Sequence, residues 1–168
     1  MIRSATPADA PGLVDLWRAA GLRFHPHLVD LELAAALSQG LLLVDEDEAG
    51  ELVGTVFGSY DGMRGWVHRL ATRPDQRGRG IAAALLAELE RRLIALGCPK
   101  VNLLIEPDNA AVAGFYARSG YRPDELLFME KWLVPPPGTI SIIPNAVAQP
   151  PGPLPLPGGQ SPDQRRLT

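Results

Sequence analysis

A mixed α/β (α+β) domain, one sheet with helices on both faces, follows from three features of the chain. Over the first 133 residues, apolar runs of strand length alternate with stretches of helical periodicity. Asp61-Gly62, between two apolar runs, marks a hairpin, so the strands of the first half form an antiparallel meander. Composition then breaks near Val134: residues 134–168 hold ten of the seventeen prolines and four glycines. Such a segment favours extended polyproline conformations and stays unfolded. The expected organisation is a folded domain over 1–133 and a disordered Pro/Gly-rich tail over 134–168.

Taken in order, residues 2–6 read as a short strand, and Asp9 opens a helix with Leu13, Leu16 and Trp17 at helical spacing. A second helix over 30–38 follows a loop holding His25, Pro26 and His27, and Gly40 ends it. Residues 41–44 and 52–60 are strands joined by an acidic turn. Residues 66–72 form the fourth strand, which Pro74 stops. A long helix over 78–96 carries Ile81, Leu85, Leu89, Leu93 and Leu96 on one stripe, and Gly97 and Pro99 end it. The fifth strand, 101–105, is apolar for most of its length and therefore buried on both faces. A helix over 109–119 stops at Gly120, and residues 121–133 supply one or two closing strands. The expected sheet has six to seven strands, with helical crossovers in its second half.

The turn at 70–82 carries the first chemical signal. A helix start leaves its leading N–H groups unpaired at the positive end of the helix dipole. Gly78 and Gly80 let a ligand approach that backbone, which makes an anion site suited to phosphate. Arg64, Arg69, Arg73, Arg77 and Arg79 fall within sixteen residues whose only acid is Asp75, in a chain of net charge −3. The segment has neither the Gly-Lys-Ser/Thr ending of a P-loop nor the three-glycine dinucleotide fingerprint.

Arg77-Gly78-Arg79-Gly80-Ile81-Ala82 resembles motif A of the GNAT superfamily of acyl-CoA N-acetyltransferases. A second stretch, Asn109-Ala-Ala-Val112-Ala-Gly-Phe115-Tyr116-Ala-Arg-Ser-Gly120-Tyr121, resembles its motif B, with valine at 112 where alanine is usual. The element order matches too, so the resemblance covers residues 1–133. Gly54-Thr55-Val56, Gly58 to Gly62, Arg64-Gly65 and 96–100 further resemble the bacterial YpeA-type subgroup. On a continuous helix Asn109 and Tyr116 lie two turns apart on one face, separated by ~10 Å.

The resemblance implies acetyl transfer from acetyl-CoA to a primary amine, of a small molecule or a protein, by direct attack in a ternary complex. It implies that pantetheine lies where strands four and five part, against Leu70, Ala71 and Thr72. The Leu70 N–H is then the donor to the thioester oxygen. Pyrophosphate is expected on the N–H groups of Gly78 through Ala83, including those of Ile81 and Ala82, with Arg77 or Arg79 adding charge. Asn109 is expected to bind the cofactor arm and Tyr116 to hydrogen-bond the leaving sulfur. His68 is the first candidate for general base, two residues before Leu70 and therefore expected on its face of the strand. Glu106 is the second. His25 and His27 lie in the loop that covers the acceptor pocket in the family. A non-catalytic acyl-CoA sensor is the alternative, which retention of Tyr116 argues against.

Composition bounds the rest. The apolar and charged fractions, 46% and 21%, are those of an ordinary soluble domain. One cysteine excludes a disulfide framework within the chain, and Cys98, before a proline, reads as structural. No metal is expected, since no Cys/His cluster has zinc spacing. No apolar leader follows Met1 and no run reaches membrane length, so the expected location is a bacterial cytoplasm. The acidic total argues against nucleic acid as partner. A monomer or a homodimer fits, and the tail reads as inert.

Overall fold

A computed structural model of the chain describes residues 1–25, 27–131 and 133. Two units are distinguished, Met1–Pro123 and Asp124–Thr168. The first holds every helix and strand among the described residues: β1 (Ile2–Ser4), α1 (Ala10–Ala20), α2 (Val29–Ser38), β2 (Leu42–Glu46), β3 (Leu52–Tyr60), β4 (Gly65–Thr72), α3 (Ile81–Ala95), β5 (Val101–Asn102) and α4 (Ala113–Arg118). Short 3-10 turns cover Pro7–Asp9, Pro74–Gln76 and Pro107–Val112. The strands form one sheet in the order β1-β2-β3-β4-β5. All neighbours are antiparallel except β4 and β5, which are parallel.

Alternation along β2 divides the core. Leu42 and Val44 point to one face, where they meet Leu13, Leu16 and Trp17 of α1 and Leu33 and Ala36 of α2. Leu41 and Leu43 point to the other, against Leu85, Leu86, Leu89 and Leu93 of α3. Helices therefore cover both faces, as expected. Each of those four α3 leucines is essentially inaccessible, and burying one contributes roughly 1.5–3 kcal/mol.

Three glycines set how closely α3 approaches. A Cβ at Gly54 would lie 2.5 Å from Ile81 Cγ2, and one at Gly65 would lie 2.9 Å from Cys98 Sγ. At Gly58 it would lie 2.3 Å from Leu89 Cδ1 and 3.2 Å from Leu89 Cγ. Leu89 is fully buried and has no room to yield. Gly58→Ala should therefore lower the unfolding free energy by roughly 1–3 kcal/mol, the usual cost of overpacking, as read by urea denaturation.

Two expectations need correction. The sheet has five strands among the described residues, against the six to seven expected. Residues 121–131 and 133 carry no strand, and Leu126, Leu127, Phe128 and Met129 are each at least 62% exposed. An apolar run becomes a strand only where another strand's N–H and C=O groups are there to pair with it. For the same reason the fifth strand stops at Asn102 rather than at 105. Residues 134–168, the proline-rich stretch, lie outside the described residues. Among the described residues no helix is long and apolar enough to cross a membrane.

Candidate active site

The turn that opens α3 has the shape its glycines require. After the 3-10 turn of Pro74–Gln76, Arg77 is extended, and Gly78 (φ 78°) and Gly80 (φ 83°) take left-handed conformations that a Cβ disfavours. Gly80 is the N-cap of α3, so the helix begins at Ile81 rather than at 78. The helical ladder starts with the Ala84 N–H on the Gly80 carbonyl (3.0 Å). The N–H groups of Ile81, Ala82 and Ala83 precede it and point out of the helix end. A Cβ at Gly78 or Gly80 would meet no atom within 4 Å, so the space before this helix end is open.

Charge at this turn is narrower than the arginine count suggests. Arg77 donates to the Ala20 carbonyl (3.3 Å), and Arg79 donates to Gln76. Arg73 instead lies 3.8 Å from Glu51, and Arg69 is committed to Glu32. Arg69 and Arg73 are thus engaged with carboxylates elsewhere, and Arg77 and Arg79 are the arginines that belong to the turn by sequence.

Beside it, β4 and β5 part. They pair only at Gly65↔Val101 and Trp66↔Asn102. From Val67 onward the β4 edge that faced β5 has no strand partner among the described residues, and Leu70, Ala71 and Thr72 lie in that open stretch. Thr72 Oγ1 is shielded from solvent and has no hydrogen-bond partner. A buried hydroxyl left in this state is destabilising unless something pairs with it.

On its other edge β4 is bulged. Thr55 faces Ala71 and Phe57 faces His68, which leaves Arg69 and Leu70 together opposite Val56. Arg69 sits at φ 53°. The extra residue shifts the alternation by one, so His68 and Leu70 do not share a face as their spacing predicts. Leu70 packs toward the α3 side, whereas His68 lies against Phe57 on the α1/α2 side. The His68 ring is 5.4 Å from that of Phe57, nearly parallel to Trp66 at 6.4 Å, and its Nε2 is 3.3 Å from Ser59 Oγ. Partial desolvation, then the neighbouring Arg69 cation, hold its pKa below the ordinary value, which favours the neutral ring.

Asn109 and Tyr116 are not on one helix. Asn109 falls in the 3-10 turn of Pro107–Val112 at φ −109°, ψ 18°, and α4 begins only at Ala113. The two-turn geometry expected of a continuous helix therefore does not apply. Pro107 fits the first turn of a helix, but Asn109 leaves helical φ/ψ and kinks the run, so regular α geometry begins only at Ala113. Tyr116 is half-buried, edge-on to Phe115 (5.1 Å) and to Tyr121 (5.6 Å). Burial raises the pKa of its phenol above the ordinary value. Tyr121 donates to Glu90 of α3 (2.8 Å), which fixes one wall around Tyr116.

The sequence profile of the acetyltransferase (GNAT) family matches residues 11–121. The chain belongs to the GNAT family of acetyltransferases. An acetyltransferase of Sodalis glossinidius is 41% identical over 129 residues, covering 75% of this chain and 90% of that protein. One from Pectobacterium atrosepticum is 39% identical over 135 residues, 79% and 95% of the two chains. Among solved structures, AAC(6')-Iy in complex with the bisubstrate analogue CoA-S-monomethyl-acetylneamine superposes with a TM-score of 0.67 at 17% identity, over 79% of this chain and 97% of that one. At that identity the likeness shows the fold alone.

In this GNAT domain the residues expected around the cofactor divide by element. Leu70 to Thr72 lie on the parted strand, and 77–83 on the turn that follows it. Tyr116 joins Leu70 against the α3-side core. His25 and His27 lie 5.7 Å apart, ring to ring, in the α1–α2 connection. Glu106 occupies the N-cap position of the 3-10 turn, with no side-chain capping bond, and is exposed. Cys98 is buried and donates to the Lys100 carbonyl (3.3 Å), in keeping with a structural role. Residue spacing gave no sign of the set formed by Trp17, Glu32 and Arg69, which come from three separate elements.

Proposed function

We propose that this acetyltransferase moves an acetyl group from acetyl-CoA to the primary amine of a small molecule or a protein, by direct attack in a ternary complex. One observation carries the reading: β4 loses its β5 partner immediately before a glycine-lined helix start. The first feature leaves peptide groups free along an extended arm, and the second leaves N–H groups free for a diphosphate. The N–H groups of Gly78 through Ala83, with Arg77 and Arg79, hold the pyrophosphate. Leu70, Ala71 and Thr72 line the pantetheine arm, and the Thr72 hydroxyl gains the partner it lacks. Asn109 binds the arm from the other side. Bound acetyl-CoA supplies an activated thioester, and no metal is needed.

The Leu70 N–H donates to the thioester oxygen, and losing one such donor typically costs ~3–4 kcal/mol. Tyr116 hydrogen-bonds the departing sulfur. With an ordinary phenol near ~10 and a thiol near ~8.5, full proton transfer is uphill by about 2 kcal/mol. Burial raises the phenol further, so Tyr116 acts chiefly as a hydrogen-bond donor to developing charge. Neutralising a lysine-like acceptor of pKa ~10.4 at pH 7 costs about 4.6 kcal/mol. His68, on the face of β4 opposite Leu70 and Tyr116, accepts that proton through water, with Glu106 as the second candidate; His25 and His27 border the acceptor.

The assignment is tested by thiol release over a panel of amines, beside calorimetry with CoA. Turnover supports it, whereas saturable binding with no turnover on any amine favours an acyl-CoA sensor instead. A base of lowered pKa makes a further prediction. Only the neutral imidazole is active, so kcat/KM should rise with pH through a midpoint below that of an ordinary imidazole. His68→Gln should remove that acid limb and lower kcat/KM by about 10²-fold. An unchanged limb would assign it to another group.

The further assignments are a cytoplasmic, YpeA-type enzyme with its catalytic domain over 1–133. The subgroup rests on the sequence stretches around Gly54, Gly58, Gly65 and residues 96–100 that resemble it.

A further inference from the structure

We propose that Arg69 is a positioning residue: its clasp on Trp17 and Glu32 holds the β4 bulge in the backbone conformation that aims the Leu70 N–H. The inference rests on the acetyl-transfer reading above. Arg69 is the one non-glycine residue with positive φ among the described residues, and its Cβ disfavours that region. A residue persists there only where its surroundings over-determine it.

Those surroundings are visible. Arg69 Nε donates to Glu32 Oε1 (2.5 Å) and Nη2 donates to Glu32 Oε2 (2.7 Å), a two-pronged bond to α2. Nη1 donates to the Arg23 carbonyl in the α1–α2 connection. The guanidinium carbon lies 5.1 Å from the ring centroid of Trp17, which is buried in α1. Both members of the ion pair are mostly buried, at 20% and 27% side-chain exposure, so water and salt screen them weakly.

The link to chemistry is covalent. The Arg69 carbonyl and the Leu70 N–H belong to one planar peptide unit. Rotation of Arg69 out of the left-handed region turns that plane and carries the N–H with it. The side chain therefore acts on the reaction through the peptide that follows it, without touching substrate. Lysine could not replace it, because a point charge cannot make the two-pronged bond to Glu32.

The test compares wild type with Arg69→Gln, Glu32→Gln and the double variant. Each single change should lower kcat by ~10–100-fold, part of the effect of losing an oxyanion donor. Affinity for CoA by calorimetry should stay within about twofold, since the diphosphate turn is untouched. The double variant should be no slower than the slower single, because the two residues act as one unit. Arg69→Lys should not restore the rate. In protein without CoA, the Leu70 amide resonance should move in Glu32→Gln.

Wild-type kcat in both singles, multiplicative losses in the double, or an unmoved Leu70 resonance would each overturn the clasp. Should Arg69→Gln fail to fold, Glu32→Gln decides the matter through the same kcat and resonance readouts. A wild-type protein that turns over no amine removes the acetyl-transfer reading and this inference together. An active wild type with unaffected variants removes only the inference.

Discussion

Gly80→Glu should weaken coenzyme A binding by roughly 100-fold or more while the domain remains folded. Two effects act together at this position. Gly80 is the N-cap of α3 at φ 83°, a conformation that costs a residue with a Cβ about 1–2 kcal/mol. The new carboxylate then stands where the helix end carries about half a positive charge and competes for the same N–H groups as the diphosphate. Two unit negative charges 4 Å apart repel by ~4 kcal/mol at an effective dielectric of about 20, several hundredfold in affinity before screening. Gly80→Asn separates the causes: asparagine tolerates the left-handed region and brings no charge. It should bind within about tenfold of wild type by calorimetry. An unimpaired Gly80→Glu would mean the diphosphate lies elsewhere.

Tyr116→Phe should lower kcat by ~10²-fold or more, the lower end for a positioned proton donor, with CoA affinity within about twofold of wild type. The ring stays edge-on to Phe115 and Tyr121, so packing is preserved and only the hydroxyl goes. On the role proposed for it, the phenol stabilises sulfur charge that develops after binding, so its loss should appear in turnover and not in the ground state. Steady-state kinetics beside a CoA titration reads this directly. A large loss of affinity with unchanged kcat would place Tyr116 on the cofactor arm rather than at the sulfur.

Much of the framework was readable from residue order. Helical spacing located α1 and α3, with Leu13, Leu16, Trp17, Leu85, Leu89 and Leu93 all buried, whereas Leu96, expected on the same stripe, lies past the end of α3 and is 56% exposed. Asp61-Gly62 marked the β3–β4 turn, and Gly78 and Gly80 marked a sharp entry to α3. These are local signals: a 3.6-residue stripe, a positive φ and a proline each act over a few neighbours, and order along the chain records them.

What residue order left undetermined was pairing. Whether residues 103–105 and 121–131 join the sheet depends on partner groups far away in the chain, and neither segment does so among the described residues. Arg69 counts in sequence as one more cation in a basic stretch, yet it faces Glu32, 37 residues earlier. The bulge it occupies reverses the face assigned to Leu70 relative to His68, because one extra residue opposite Val56 shifts a two-residue period by half.

Local chemistry, then, was settled by the sequence alone: the glycines that open a helix end, the apolar stripes that choose its buried side, and the order of strands and helices. The tertiary structure alone decided which β4 residues share a face, which carboxylates Arg69 and Arg73 meet, and where β4 and β5 separate. The physical reason is range. Backbone torsions and helix ends are fixed by adjacent residues, whereas hydrogen-bond register and ion-pair choice are fixed by groups that meet only once the chain has folded.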